Sequence, residues 1–202
     1  MSFARMLKEE IRAHLVRVDA SSRAVIADNL VFVYHMIVAS EGILCTAHMH
    51  MTDGAYRRWL AAHYQEEVGH ARRLRGDLQA AGVCVHNAPL MHDAAALAGA
   101  QYYLAAHVSA YSILGYMLAL ECFPMSLDDV SALEKLHGES MFRTLRYHAV
   151  HDVEHGDDVL DQIDNMPPVY RELVRDNALR TVKAISRTSR AFGSFPALPA
   201  HA

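Results

Sequence analysis

The chain has 202 residues, 52% hydrophobic and 21% charged, with a formal charge of −4 and only three lysines. That length suits one domain with a real core, while the charge argues against a surface made for nucleic-acid phosphates or anionic lipid. No uninterrupted apolar run reaches the roughly 20 residues of a membrane span, so small molecules are the expected partners, with no nucleic acid and no membrane.

The opening "MSFARMLKEEIRAHL" is charged and lacks the apolar stretch of a secretory signal, which makes a cytoplasmic location the expectation. Cys45, Cys84 and Cys122 are odd in number and widely spaced. Neither a disulfide framework nor a thiolate zinc site follows from them, and they read as buried free thiols. Fourteen histidines are the compositional oddity.

Taken in chain order, the sequence predicts an all-α protein of about seven helices. A first helix covers about residues 3–17, and "DASS" at 19–22 offers caps for a second that runs to about Met51. After a turn at "TDG", a third helix spans about residues 55–81 and ends at Gly82. "HNAPLMHD" connects to a long apolar helix over about residues 94–122, stopped by Pro124. A short helix at 127–136 precedes Gly138, a sixth carries "RYHAVHDVEHGDD" to about Asp164, and a last one runs from about Val169 to Arg190 after "NMPP". Residues 1–191 form a single helical domain in this reading, and 192–202, with two prolines and no period, form a loosely held tail.

Helical periodicity sorts the charged sixth helix into two faces. His148, Asp152 and His155 share a stripe with Met141, Leu145 and Val159, which points inward. Glu154, Asp157 and Asp158 point elsewhere and read as surface charge, with His151 at the margin. Burying two imidazoles and a carboxylate without partners costs several kcal/mol, so other helices must answer them.

Three segments can. In "YQEEVGHARRL", Glu67 and His70 form an E-x-x-H pair, whose spacing lets a carboxylate and an imidazole on adjacent turns reach one metal. Glu121 is a lone carboxylate at the end of the apolar run from Val108. Glu41 is similarly isolated in "YHMIVASEGILC", and an antiparallel hairpin turning at Asp53 sets it level with Glu67. Three imidazoles with three or four carboxylates exceed the needs of one metal. Oxygen and imidazole donors without cysteine favour iron or manganese, so the set reads as a dinuclear site of Glu67, His70, Glu121, His148, Asp152 and His155, with Glu41 as a seventh candidate. Two Fe(II) ions with O2 are the expected cofactors. Tyr34, His63, Tyr103, His107 and Tyr111, with His151, are candidates to line a substrate pocket or to orient ligands. Arg143, Arg146, Arg180 and Arg187 are candidates to hold a substrate carboxylate.

At "EEVGH", "GYMLALE" and "HAVHDVEH" the sequence resembles the haem-oxygenase-like diiron oxidases and oxygenases, over roughly residues 60–160. The resemblance implies a helical bundle and an O2-dependent oxidoreductase acting on a small amine, amino acid or carboxylic acid by N-oxygenation, desaturation or oxidative carbon–carbon cleavage, often in natural-product pathways. It leaves room for an external electron donor and for a homodimer. Glu41 with the same motifs also resembles the ferritin-like diiron N-oxygenases, with Asp152 replacing a Glu. Pro124, three residues after Glu121, weighs against that second architecture, whose ligand helix normally continues. A metal-free helical protein, either a cofactorless oxidase or a thiaminase-like hydrolase, is the further alternative.

Overall fold

The computed structural model describes residues 1–193, with the side chains of all of them except Asp152, Val153 and Glu154. Its described part contains nine α-helices: α1 (Phe3–Arg12), α2 (Arg23–His50), α3 (Gly54–Glu67), α4 (His70–Ala80), α5 (Ala88–His107), α6 (Ile113–Glu121), α7 (Leu127–His137), α8 (Arg143–Asn165) and α9 (Arg171–Ser189). Short 3-10 turns lie before α6, α8 and α9. The fold is all-helical, as expected.

Nine helices replace the expected seven because two of the long ones are broken. The expected third helix divides at Gly69, whose φ of 95° lies where a side chain would be strained. The expected fourth begins earlier, at Ala88, where the Asn87 side chain accepts from the Leu90 N–H and Pro89 sits in the first turn. It then divides at Ser109, which is extended at φ −168° and caps the 3-10 turn Ala110–Ser112 through its hydroxyl. Apolar periodicity continues across both breaks, so pattern alone merges the pieces. The first helix is also shorter than expected, ending at Arg12.

Helices with their own caps obey the sequence signals. Ser22 accepts from the Val25 N–H at the start of α2, Asp53 accepts from Ala55 and Tyr56 at the start of α3, and Ser126 accepts from Asp129 at the start of α7. By length and composition α2 could pass for a membrane span, although Asp28, His35 and Glu41 interrupt its apolar run. Here it is an element of the bundle, packed against α3, α4 and α5.

α6 is buried along nearly its whole length. Gly115 permits its close approach to α9: a Cβ there would collide with the Val174 carbonyl oxygen and come within 2.8 Å of the Ala178 nitrogen. On the other side, Gly156 of α8 lies against the end of α6, where the Cys122 thiol donates to the Gly156 carbonyl at 3.4 Å. Gln101, Asn177 and Thr181 form a buried amide and hydroxyl network that joins α5 to α9 and to the Ser112 carbonyl. Cys122 alone of the three free thiols is buried; Cys45 and Cys84 are exposed, contrary to expectation. At the C-terminal end, Phe192 is buried against Phe32 at 6.2 Å, and the Gly193 N–H donates to Asp28. The first two residues of the expected tail are therefore held, and residues 194–202 lie outside the described part.

Candidate functional site

The break at Gly69 places Glu67 at the last position of α3 and His70 at the first of α4. The pair is thus not one continuous helical face, as expected, but two helix ends facing each other. His70 Nδ1 and Glu67 Oε2 lie 3.2 Å apart. Glu41 reaches across from α2, and its Oε1 accepts from the Gly69 N–H at 3.1 Å. An isolated acid on an apolar helix thereby serves the half-buried backbone donor at the start of α4, which has no side-chain cap of its own.

α8 is served in the same way. It also lacks a cap of its own, and buried Asp77 of α4 supplies one. Asp77 Oδ2 accepts from both the Thr144 N–H and the Thr144 hydroxyl at 2.7 Å, and Oδ1 accepts from Arg143 Nε at 3.0 Å. His70 stands two turns before Asp77 on α4, and His148 one turn after Thr144 on α8. The cap therefore sets these helices in register, and the His70 and His148 rings meet edge to face at 4.7 Å.

His63 stands closer to the centre than the lining role expected for it. It is 3% exposed, stacks on Trp59 at 5.2 Å and hydrogen-bonds through Nε2 to Glu121 Oε1 at 3.3 Å. His155 of α8 completes the link: its ring lies 5.8 Å from that of His63, and its nitrogens lie 3.6 Å from Glu66 and 3.7 Å from Glu67. Glu67, His70, Glu121, His148 and His155, with His63, form one contiguous cluster fed by α3, α4, α6 and α8. The side chain of Asp152 lies outside the described residues.

Electrostatics distinguishes the two central carboxylates. Burial raises the Glu121 pKa above its ordinary value, although His63 pulls the other way. Burial also opposes the Glu67 charge, but the His70 hydrogen bond, with the attraction of His70, His63 and His148, holds its pKa below the usual value. His63 is itself disfavoured as a cation by burial, yet Glu121, Glu67 and Glu66 together raise its pKa. The Glu121 Oε2 atom is buried and has no hydrogen-bond partner among the described residues, a costly arrangement for structure alone.

The remaining candidates are placed elsewhere. Tyr103 and His107 are exposed and lie together on α5, 4.9 Å apart. Tyr111 is buried in a stack with Tyr56 and Tyr170, and its hydroxyl donates to Asp53 at 2.7 Å. Tyr34 packs on His35, and exposed His151 lies against Tyr147. None of these five forms part of the described cluster. Arg143, Arg146 and Arg180 are paired with Asp77, Glu134 and Asp176, respectively. Of the expected surface acids, Asp157 and Asp158 are exposed, while the side chain of Glu154 is outside the described residues.

Beside the cluster a partly open cavity of about 160 Å³ runs between α2 and α6. Glu67, Glu121 and His148 stand in its wall with apolar side chains, and Ser40 and Tyr116 add hydroxyls. Sequence reading missed Trp59, Ser40, Tyr116 and Asp77. Trp59 stands one turn before His63, a findable signal, whereas the others depend on which helices meet.

Among the described residues, no three His, Cys, Asp or Glu side chains converge closely enough to hold a single ion; carboxylates and imidazoles stand in pairs. The donor chemistry nevertheless fits iron: several imidazoles and carboxylates, no thiolate, and one buried carboxylate oxygen without a partner.

No protein-family profile matches the chain, and no curated protein sequence matches it significantly. Solved structures do resemble it. A domain of unknown function with a haem-oxygenase-like fold from Shewanella denitrificans aligns at TM-score 0.66 and 14% identity, covering 92% of this chain and 88% of that one. A TenA homologue from Pseudomonas syringae aligns at TM-score 0.69 and 13% identity over 93% and 91% of the two chains. A TenA homologue from Pyrococcus furiosus aligns at TM-score 0.64 and 10% identity over 93% and 98%. The chain therefore has the haem-oxygenase-like, TenA-type helical fold. That result favours the first of the two architectures weighed from sequence, and α6 does end at Glu121, just before Pro124.

Proposed function

We propose that the protein is an O2-dependent non-haem diiron oxidase or oxygenase of specialised metabolism, acting on a small amine, amino acid or carboxylic acid. The observation that carries this reading is Glu121. It is a carboxylate at the end of a buried apolar helix, with one oxygen that has no hydrogen-bond partner among the described residues, facing imidazoles from α3 and α8 and walling an apolar cavity. Glu67, His70, Glu121, His148, Asp152 and His155 would hold the two irons, which supply the reduction of O2 when bound. Glu41 is assigned to the backbone at Gly69 rather than to the metals. The protein's own part is to orient the donors through the Asp77 and Glu41 caps and to keep water from the cavity.

The reading is tested by metal analysis and O2 uptake of protein purified without air. About two Fe per chain and O2 uptake abolished by chelation are expected. Protein without metal, together with unchanged behaviour of His148→Ala and Glu121→Ala, would overturn it.

A second reading, a metal-free thiaminase-like hydrolase, is favoured by the likeness to the two TenA homologues and by the pairing of each central carboxylate with an imidazole. That reading requires turnover in the presence of chelator and without O2.

A further inference from the structure

Five aromatic rings form one continuous stack that ends on the cluster. His63 stacks on Trp59 at 5.2 Å and 26°, Trp59 on Tyr56 at 5.4 Å and 16°, Tyr56 on Tyr111 at 4.8 Å and 15°, and Tyr111 on Tyr170 at 4.7 Å and 29°. The inner end meets Glu121 through the His63 hydrogen bond. The outer end is Tyr170, half-buried in the 3-10 turn before α9. The other ring contacts among the described residues are tilted or edge-on, geometries equally open to packing, so the face-to-face run is confined to this one line. Tyr56, Trp59 and His63 lie along one face of α3. Tyr111 joins them because the chain breaks at Ser109, whose hydroxyl holds the turn that carries it.

Packing and hydrogen bonding do not account for the residue types. The Tyr56 hydroxyl is buried and has no hydrogen-bond partner among the described residues, a cost that Phe would avoid in the same space. What Tyr has over Phe is an electron-rich ring, which a single electron leaves more readily. Trp59, the chain's one tryptophan, shares that property. Tyr111 adds a place for the proton that an oxidised phenol must lose: its hydroxyl donates to Asp53 Oδ2 at 2.7 Å, while Asp53 Oδ1 is occupied by the start of α3. Rings in face-to-face contact pass an electron by short hops, where one jump from surface to cluster would be slow.

We infer that this stack carries single electrons from the surface at Tyr170 to the cluster, discharging an oxidising equivalent left at the irons when no substrate is bound. The discharge rests on the diiron reading; conduction along the rings does not. Trp59 gives one electron inward through His63 and Glu121. Tyr111 refills Trp59 across the Tyr56 ring as its hydroxyl proton passes to Asp53 Oδ2. At Tyr170 a soluble thiol or ascorbate gives up one electron and one proton. The electron restores Tyr111, which takes its own proton back from Asp53, and the proton of the reductant goes to water.

Pulse radiolysis of the metal-free full chain in azide solution tests the conduction. Azide radicals at neutral pH preferentially take an electron from the indole of Trp59, which releases its proton to water. In wild type the Trp59 radical absorption should then be replaced by tyrosyl absorption at a rate independent of protein concentration. Tyr111→Phe combined with Tyr170→Phe should slow this transfer at least about tenfold. Tyr56→Phe should slow it several-fold with the urea midpoint unchanged or raised, which a packing role alone would not do. A rate proportional to protein concentration, or one unchanged in these variants with helicity verified by circular dichroism, overturns the inference. Protein loaded with Fe(II) and frozen rapidly after mixing with O2, without substrate, should show a tyrosyl signal in electron paramagnetic resonance that the double variant lacks. Retained iron without that signal overturns the discharge. No retained iron overturns the diiron reading instead, and the radiolysis rates then decide the conduction by themselves.

Discussion

Glu121 concentrates the conflict between stability and function in one side chain. It sits on an otherwise apolar helix, half satisfied by His63 and with its second oxygen without a partner among the described residues. A carboxylate placed for folding would be fully bonded. Glu121→Gln keeps the shape and removes the charge, so thermal unfolding should show a midpoint unchanged or raised, while iron retained after desalting falls by at least about half. Loss of stability with iron content intact would contradict this role. Cys122, next in sequence, is buried against Gly156, and burial pushes its thiol pKa up to about 12. A thiol reagent at mildly alkaline pH should therefore modify Cys45 and Cys84 promptly and Cys122 only on unfolding; three fast thiols would show the α6 and α8 contact to be wrong. At this scale the sequence was informative where a polar residue interrupted an apolar face, as with Glu67, His70, Glu121, His148 and His155. It misassigned Tyr103 and His107 because a residue on an amphipathic helix near a break can face either side, and only packing decides which.

Helices α4 and α8 start without caps of their own and borrow carboxylates from neighbours, Glu41 for α4 and Asp77 for α8. Glu41, a ligand candidate in the sequence, and Asp77, which the sequence reading did not single out, thus both serve helix ends. Asp77→Ala should cost about 2–4 kcal/mol in urea unfolding, since it leaves the Thr144 N–H and hydroxyl buried and unpaired. Most of that cost comes from the cap, because the Arg143 side chain is 64% exposed and its ion pair is weak. Asp77→Asn should be milder, retaining one acceptor. A cost for Asp77→Ala below about 0.5 kcal/mol would show that the cap does not hold α8. Gly69→Ala should cost about 1–2 kcal/mol, because only glycine takes φ 95° there without strain. Hydrophobic period located the helices but not these breaks. A left-handed glycine between two polar ligand candidates resembles any helical glycine until the carboxylate that answers its N–H is known to come from another helix.

Across the whole molecule, the all-α class and the haem-oxygenase-like bundle were legible from break spacing and from the order of three motifs. The cavity was not, because its wall is assembled from faces of α2 and α6 that are each unremarkable alone. The same packing makes Gly115 critical: Gly115→Ala should cost about 1–3 kcal/mol in urea unfolding by forcing α6 away from α9. The central claim is that helices α3, α4, α6 and α8 converge to hold a pair of irons beside that cavity. The most direct test is anaerobic Fe(II) loading followed by desalting and metal analysis, with wild type and Glu121→Gln in parallel. Retention of about two Fe per chain by wild type, with a clear loss in the variant, is the predicted result. No retained iron in either protein, with both fully folded, would contradict the account.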